Sequence, residues 1–119
     1  MIKYVALYRM PDDTEAFDRD YFGTHVPIVN ATPGLVRAEL AKVTRMMVGE
    51  PAYYVMAELY FESVDAMKAA FKTDPWRESG ANLQSWGGME LVTMFTAQVV
   101  DDGGRDVTGG GDVEGGGDV

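Results

Sequence analysis

Residues 53–61 read Tyr-Tyr-Val-Met-Ala-Glu-Leu-Tyr-Phe, a run in which both alternating sets of positions are almost wholly apolar. A strand of that kind cannot keep one face in water; it suits a sheet covered on both sides. Segment 89–100 repeats the pattern, with Met89, Leu91 and Phe95 on one parity and Val92, Met94 and Val100 on the other. Yet the chain has only 119 residues, and eight of its 14 glycines fall in the last 19. The foldable remainder suits one domain, which at that size buries only about 60–68% of its unfolded surface. Little is left over to cover a second sheet face.

The order of elements follows from local signals. Residues 2–9 set Ile2, Tyr4, Ala6 and Tyr8 against Lys3, Val5, Leu7 and Arg9, which predicts a strand stopped by Pro11. Asp12, with Glu15 three residues on, has the form of a capping box. The helix it opens is expected to run to about Thr32, where Pro33-Gly34 ends it. Residues 35–47 and 53–62 are β-rich and flank Gly49-Glu50-Pro51, which predicts a hairpin. Ser63 is placed to cap a helix with Val64, Met67 and Phe71 on one face. Asp74-Pro75 restarts helix, as cap and first helical residue, and Gly87-Gly88 breaks it before a last strand at 89–100.

The order β-α-β-β-α-β is the ferredoxin-like arrangement of an α+β protein: a four-stranded antiparallel sheet with both helices on one face. The other face needs a cover the chain does not supply. A second copy is the simplest source, so a homodimer with sheets face to face is expected. The domain is assigned to residues 1–100. Residues 101–119 carry six acids against Arg105 and repeat Gly-Gly-Gly-Asp-Val, an acidic Gly/Asp-rich tail that is expected to be disordered.

Composition removes several classes of function. Without cysteine there is no disulfide framework, thiol catalysis or Cys-ligated metal, and one histidine excludes a multi-histidine site within the chain. No Gly-x-Gly-x-x-Gly fingerprint is present, so no metal, flavin or haem is expected. Residues 1–100 hold 13 acids against 9 bases with no basic stripe, which argues against nucleic acid as a partner. No apolar run nears the ~18–20 residues of a membrane span, so a cytoplasmic protein is the expectation.

Few side chains are left to do chemistry. His25 shares a helical face with Phe17, Tyr21, Thr24 and Ile28, and so points inward; Pro27 beside it withholds a donor from the Gly23 carbonyl. It can serve as general acid or base, or be a core histidine satisfied by a backbone carbonyl. Tyr21, one turn earlier, can position that ring or simply pack. Glu58 interrupts an apolar strand, where a salt bridge to Arg37, or a cavity mouth, would account for it. Tyr54, Met56, Tyr60, Trp76 and Trp86 can line an aromatic pocket or form core and dimer contacts.

The stretch Tyr21-Phe22-Gly23-Thr24-His25-Val26-Pro27 with Pro33-Gly34-Leu35, together with the 53–61 strand, resembles the signature of the EthD family, named for ethyl tert-butyl ether degradation. The resemblance covers roughly residues 1–98. It implies a dimeric α+β barrel, a small organic ligand and an association with oxidoreductase systems of catabolism or secondary metabolism. It favours a functional His25. Members often carry an acid where this chain has Asn82. Two readings of function stand. One is a cofactor-independent enzyme whose His25 shuttles a proton on a small hydrophobic or aromatic substrate, with Tyr21 positioning it and residues 54, 56, 58, 60, 76 and 86 around it. The other is a non-catalytic dimeric module that carries such a metabolite for a partner oxidoreductase.

Overall fold

The computed structural model describes residues 1–101; the predicted acidic tail, past Asp101, lies outside the described residues. Strands β1 (Ile2–Arg9), β2 (Arg37–Lys42), β3 (Tyr53–Phe61) and β4 (Val92–Gln98) form one antiparallel sheet in the order β2-β3-β1-β4. Helices α1 (Thr14–Asp20) and α2 (Val26–Asn30) follow β1, and α3 (Val64–Ala70) and α4 (Asp74–Ser85) follow β3. This is the ferredoxin-like order read from the sequence. Among the described residues no helix is long and apolar enough to cross a membrane.

Alternation divides the sheet. Ile2, Ala6 and Tyr8 of β1 stand opposite Phe61, Ala57 and Val55 of β3, and all six are buried in the core beneath the helices. The other face carries Lys3, Val5, Leu7, Met56, Glu58, Tyr60 and Phe95. The sequence predicts that face to be largely apolar with Glu58 as an interruption, and a small charged cluster gathers around that residue. Lys3 Nζ lies 2.7 Å from Glu58 Oε1, the Tyr60 hydroxyl donates to the same oxygen at 3.3 Å, and the Arg37 guanidinium sits 4.2 Å from the Tyr60 ring centre. Lys3 and Arg37 flank Tyr60 from β1 and β2; Glu58 pairs with Lys3, while Arg37 lies over the Tyr60 ring instead. The apolar remainder includes Phe95, still 47% exposed.

Boundaries moved where local chemistry is degenerate. Asp13, not Asp12, caps α1: its backbone is extended and its carboxylate accepts the Ala16 N–H at 3.1 Å. Ser63 caps α3 as expected, accepting from Ala66 at 3.1 Å. In α4 the flanking residue is Thr73, so Asp74 and Pro75 are the first two helical residues, where no N–H needs an intrahelical partner. β2 stops at Lys42, not residue 47, and β4 covers 92–98, not 89–100. Asp13→Ala is expected to lower stability by about 1 kcal/mol, read from urea denaturation, because one helix donor loses its acceptor.

Candidate functional site

The first helical region builds the site by departing from regular helix. The sequence predicts one continuous helix to about Thr32; the chain instead passes through a π-helical turn, Tyr21–His25, between α1 and α2. There the Val26 N–H reaches the Tyr21 carbonyl, five residues back. Pro27 supplies a reason. In a regular α-helix its ring would crowd the Gly23 carbonyl and offer it no donor, whereas the wider turn avoids that clash.

The turn also sets which side chains face inward. Phe17, Tyr21, His25 and Val29 are all buried, a strict repeat of four. An α-helix turns in 3.6 residues, so such a repeat drifts about 40° per step. A turn closed five residues apart takes up that drift. Thr24, inward on an uninterrupted wheel, is exposed. The rings consequently form a stack: Phe17 on Tyr21 at 5.1 Å and Tyr21 on His25 at 5.4 Å between centres, tilted by 24° and 26°.

Between this face, α4 and the sheet lies a cavity of about 180 Å³. Small residues leave the room for it. Ala6 and Ala57 face each other across β1 and β3, Ala38 of β2 lines the cavity opposite Leu59, and Gly80 lines it from α4. Tyr4, Tyr8, Tyr21, His25 and Trp76 supply its aromatic wall. Trp76 meets Tyr4 edge-on at 5.1 Å, and Tyr8 meets Tyr21 at 4.8 Å. Asn30, Met89 and Met94 are the exposed lining residues and mark the mouth, where the Tyr4 hydroxyl donates to Met94 Sδ. Among the described residues no Asp, Glu, Lys or Arg lines the cavity.

The electrostatics follow from that dry wall. Burial holds the His25 pKa below its ordinary 6.5, because the imidazolium loses hydration. The Asn82 side chain and the Ser79 backbone pull the other way, yet neither satisfies Nδ1, which is buried without a hydrogen-bond partner. Burial raises the Tyr4 pKa to about 12 and pushes Tyr8 and Tyr21 up as well, so all three remain neutral hydroxyls. The site therefore holds one imidazole, its pKa lowered by burial, and three hydroxyls that stay protonated.

Only some of the predicted pocket residues meet at the cavity. His25, Tyr21 and Trp76 line it. Met56, Glu58 and Tyr60 stand on the opposite sheet face, since their parity is that of Lys3 and Val5. Tyr54 falls in a bulge: Tyr8 pairs with Val55 and Arg9 with Tyr53, leaving Tyr54 unpaired on β1. Its ring meets Phe17 and its hydroxyl donates to Asp18 at 2.9 Å. Trp86 packs on Phe17 and donates Nε1 to Asn82 Oδ1 at 3.1 Å. Tyr4 and Tyr8, not singled out from the sequence, belong to the site. Their signal was two tyrosines flanking an alanine on one parity of β1.

This geometry has counterparts. The family model described as the EthD domain matches residues 11–82. A crystal structure of an EthD family protein from Bacillus halodurans superposes with a TM-score of 0.78 at 31% identity, covering 84% of this chain and 99% of that one. The chain belongs to the EthD family. An uncharacterized 11.0 kDa protein from the thcB-thcC intergenic region of Rhodococcus erythropolis is 29% identical over 96 residues, 81% of this chain and 93% of its own length. Two more distant structures share the fold. A dimeric ferredoxin-like protein of unknown function from Jannaschia sp. has a TM-score of 0.63 at 16% identity, covering 83% of this chain and 100% of that one. A hydroxynitrile lyase from Passiflora edulis has a TM-score of 0.64 at 13% identity, covering 85% and 94%. Within the EthD frame, the substitution at Asn82 now has a location beside His25. A carboxylate there would favour the imidazolium, so Asn82→Asp is expected to raise the His25 pKa, followed by NMR titration of the ring protons.

Proposed function

We propose that this EthD protein is a cofactor-independent enzyme that moves a proton on a small hydrophobic or aromatic substrate, with His25 as the proton carrier. The observation that carries the reading is that His25, the one histidine of the chain, lines a cavity with no Asp, Glu, Lys or Arg among its described lining residues. Tyr21 holds the imidazole by stacking on it. Burial keeps the ring neutral at pH 7, the form that accepts a proton. A hydroxynitrile lyase shares this fold, so the scaffold is one on which an enzyme is built. The oxidoreductase and catabolic or secondary-metabolic association, and a cytoplasmic setting, belong to the same proposal.

The homodimer belongs to it too. Its support is the exposed apolar part of the outer sheet face and the dimeric state given for the Jannaschia protein. Met56, Glu58 and Tyr60 then serve the contact between copies rather than the substrate. Light scattering is expected to return twice the chain mass of 13.0 kDa; a stable monomer at micromolar concentration removes this part. The enzymatic reading is tested by native mass spectrometry of the purified protein for a carried ligand, followed by incubation with that ligand alone. Turnover is expected. Release of the unchanged molecule identifies a carrier and overturns the reading.

A further inference from the structure

Resting on that reading, we infer that the substrate is an electrically neutral, single-ring molecule bearing one hydroxyl or carbonyl oxygen, of which a phenol is the simplest case. Three features of the cavity converge on this class. The first is size: a cavity of about 150 Å³ holds benzene, so about 180 Å³ admits one ring with a small substituent. The second is charge. A carboxylate, phosphate or ammonium inside would meet no Asp, Glu, Lys or Arg among the described lining residues, and a buried charge without a counter-charge is strongly disfavoured.

The third feature is the placement of polar groups. Ser79 Oγ lines the cavity but already donates to the Trp76 carbonyl at 2.6 Å, and the Tyr4 hydroxyl donates to Met94. His25 Nδ1 has no partner. Away from Asn30 at the mouth, the remaining polar lining is the His25 imidazole with the Tyr8 and Tyr21 hydroxyls, while the rings of Tyr4 and Trp76 offer edges and faces to the rest of the ligand. A phenolic hydroxyl both donates and accepts, so it suits the imidazole in either tautomer and the tyrosine hydroxyls beside it. Depth is set by the Ala6–Ala57 pair on the cavity floor, with Gly80 across from it.

The class is tested by calorimetric titration of the full chain at pH 7 with p-cresol, with 4-methylbenzoate, and with 4-methylbenzamide, a neutral molecule of the carboxylate's size that separates charge from volume. Saturable p-cresol binding is expected, with the carboxylate weaker by about 100-fold or more. Ala57→Leu, which places a larger side chain on the floor, is expected to abolish p-cresol binding while the melting temperature is kept. If that variant fails to fold, Gly80→Leu on the helical wall makes the same test. The inference is overturned if the carboxylate binds as well as the phenol, if neither binds at millimolar concentration, or if a folded floor or wall variant retains full affinity. Its failure is separable from failure of the catalytic reading. His25-dependent turnover of a charged molecule would remove the class and keep the enzyme, whereas p-cresol binding without any His25-dependent turnover would do the reverse.

Discussion

Replacing His25 by alanine is expected to lower turnover by about 100- to 10,000-fold while fold and most ligand affinity survive. The physical basis is that the buried Nδ1 makes no hydrogen bond, so truncation leaves no protein acceptor or donor orphaned on that side of the ring. A histidine kept for structure would behave otherwise, since loss of its partner would cost about 1–3 kcal/mol. Rate, melting temperature and oligomeric state measured on the same variant separate the roles. A destabilised variant whose folded fraction turns over normally would sink the catalytic assignment.

The same side chain sets a pH dependence whose sign is fixed by its surroundings. Burial lowers the folded-state pKa of His25 below 6.5. The wild-type rate should then be level near pH 7 and fall as pH drops through that lowered value, where the base becomes protonated. Stability follows linkage: the unfolded chain takes up a proton at the ordinary value and the native chain resists it. The contribution is complete above pH 6.5 and shrinks as pH falls toward the folded-state pKa. Both trends should vanish in His25→Ala.

The largest loss of stability is expected from Phe61→Ala, about 3–5 kcal/mol. Phe61 is fully buried at the end of β3, opposite Ile2, and its ring meets Phe71 edge-on at 6.2 Å. It joins the sheet to α3 through Met67 and Ala70, so its removal opens a void that no neighbouring chain segment can close. Total stability of a domain this size is about 5–15 kcal/mol, which makes the change a large fraction of the whole. Thermal unfolding at one fixed protein concentration should show a fall in Tm of roughly 15 °C or more. A loss below about 1 kcal/mol would mean that the core relaxes around the gap.

Much of the architecture was legible because it is written in local signals. Alternation in 2–9, the Gly-Glu-Pro turn and the Ser63 cap each act over a few residues, and together they give β-α-β-β-α-β. The errors fall where two neighbours offer the same chemistry. Asp12 and Asp13 can each cap, and the choice rests on which backbone is extended. Tyr54 read as an aromatic of the pocket or the core, and a bulge in β3 sets it against Phe17 and Asp18. Glu58 carried its charge in plain view, yet its partner Lys3 lies 55 residues away on a strand that only the sheet order brings alongside.

The sequence by itself determined the class of fold, the absence of thiol chemistry, and the inward position of Tyr21 and His25, because helix periodicity, alternation and composition need no partner to be read. It also marked Pro27 as a local disturbance. What the tertiary structure decided is where a ligand fits. The π-helical turn, which aligns Phe17, Tyr21, His25 and Val29 as one wall, depends on packing against the sheet, and no single residue encodes it. The cavity arises because Ala6 and Ala57 come opposite each other in the register and Gly80 lies across from them. Each is an ordinary small residue in its own segment. A void is a property of surfaces brought together from distant parts of the chain, so its size, its lack of charge and the unsatisfied nitrogen of His25 exist only in the folded molecule.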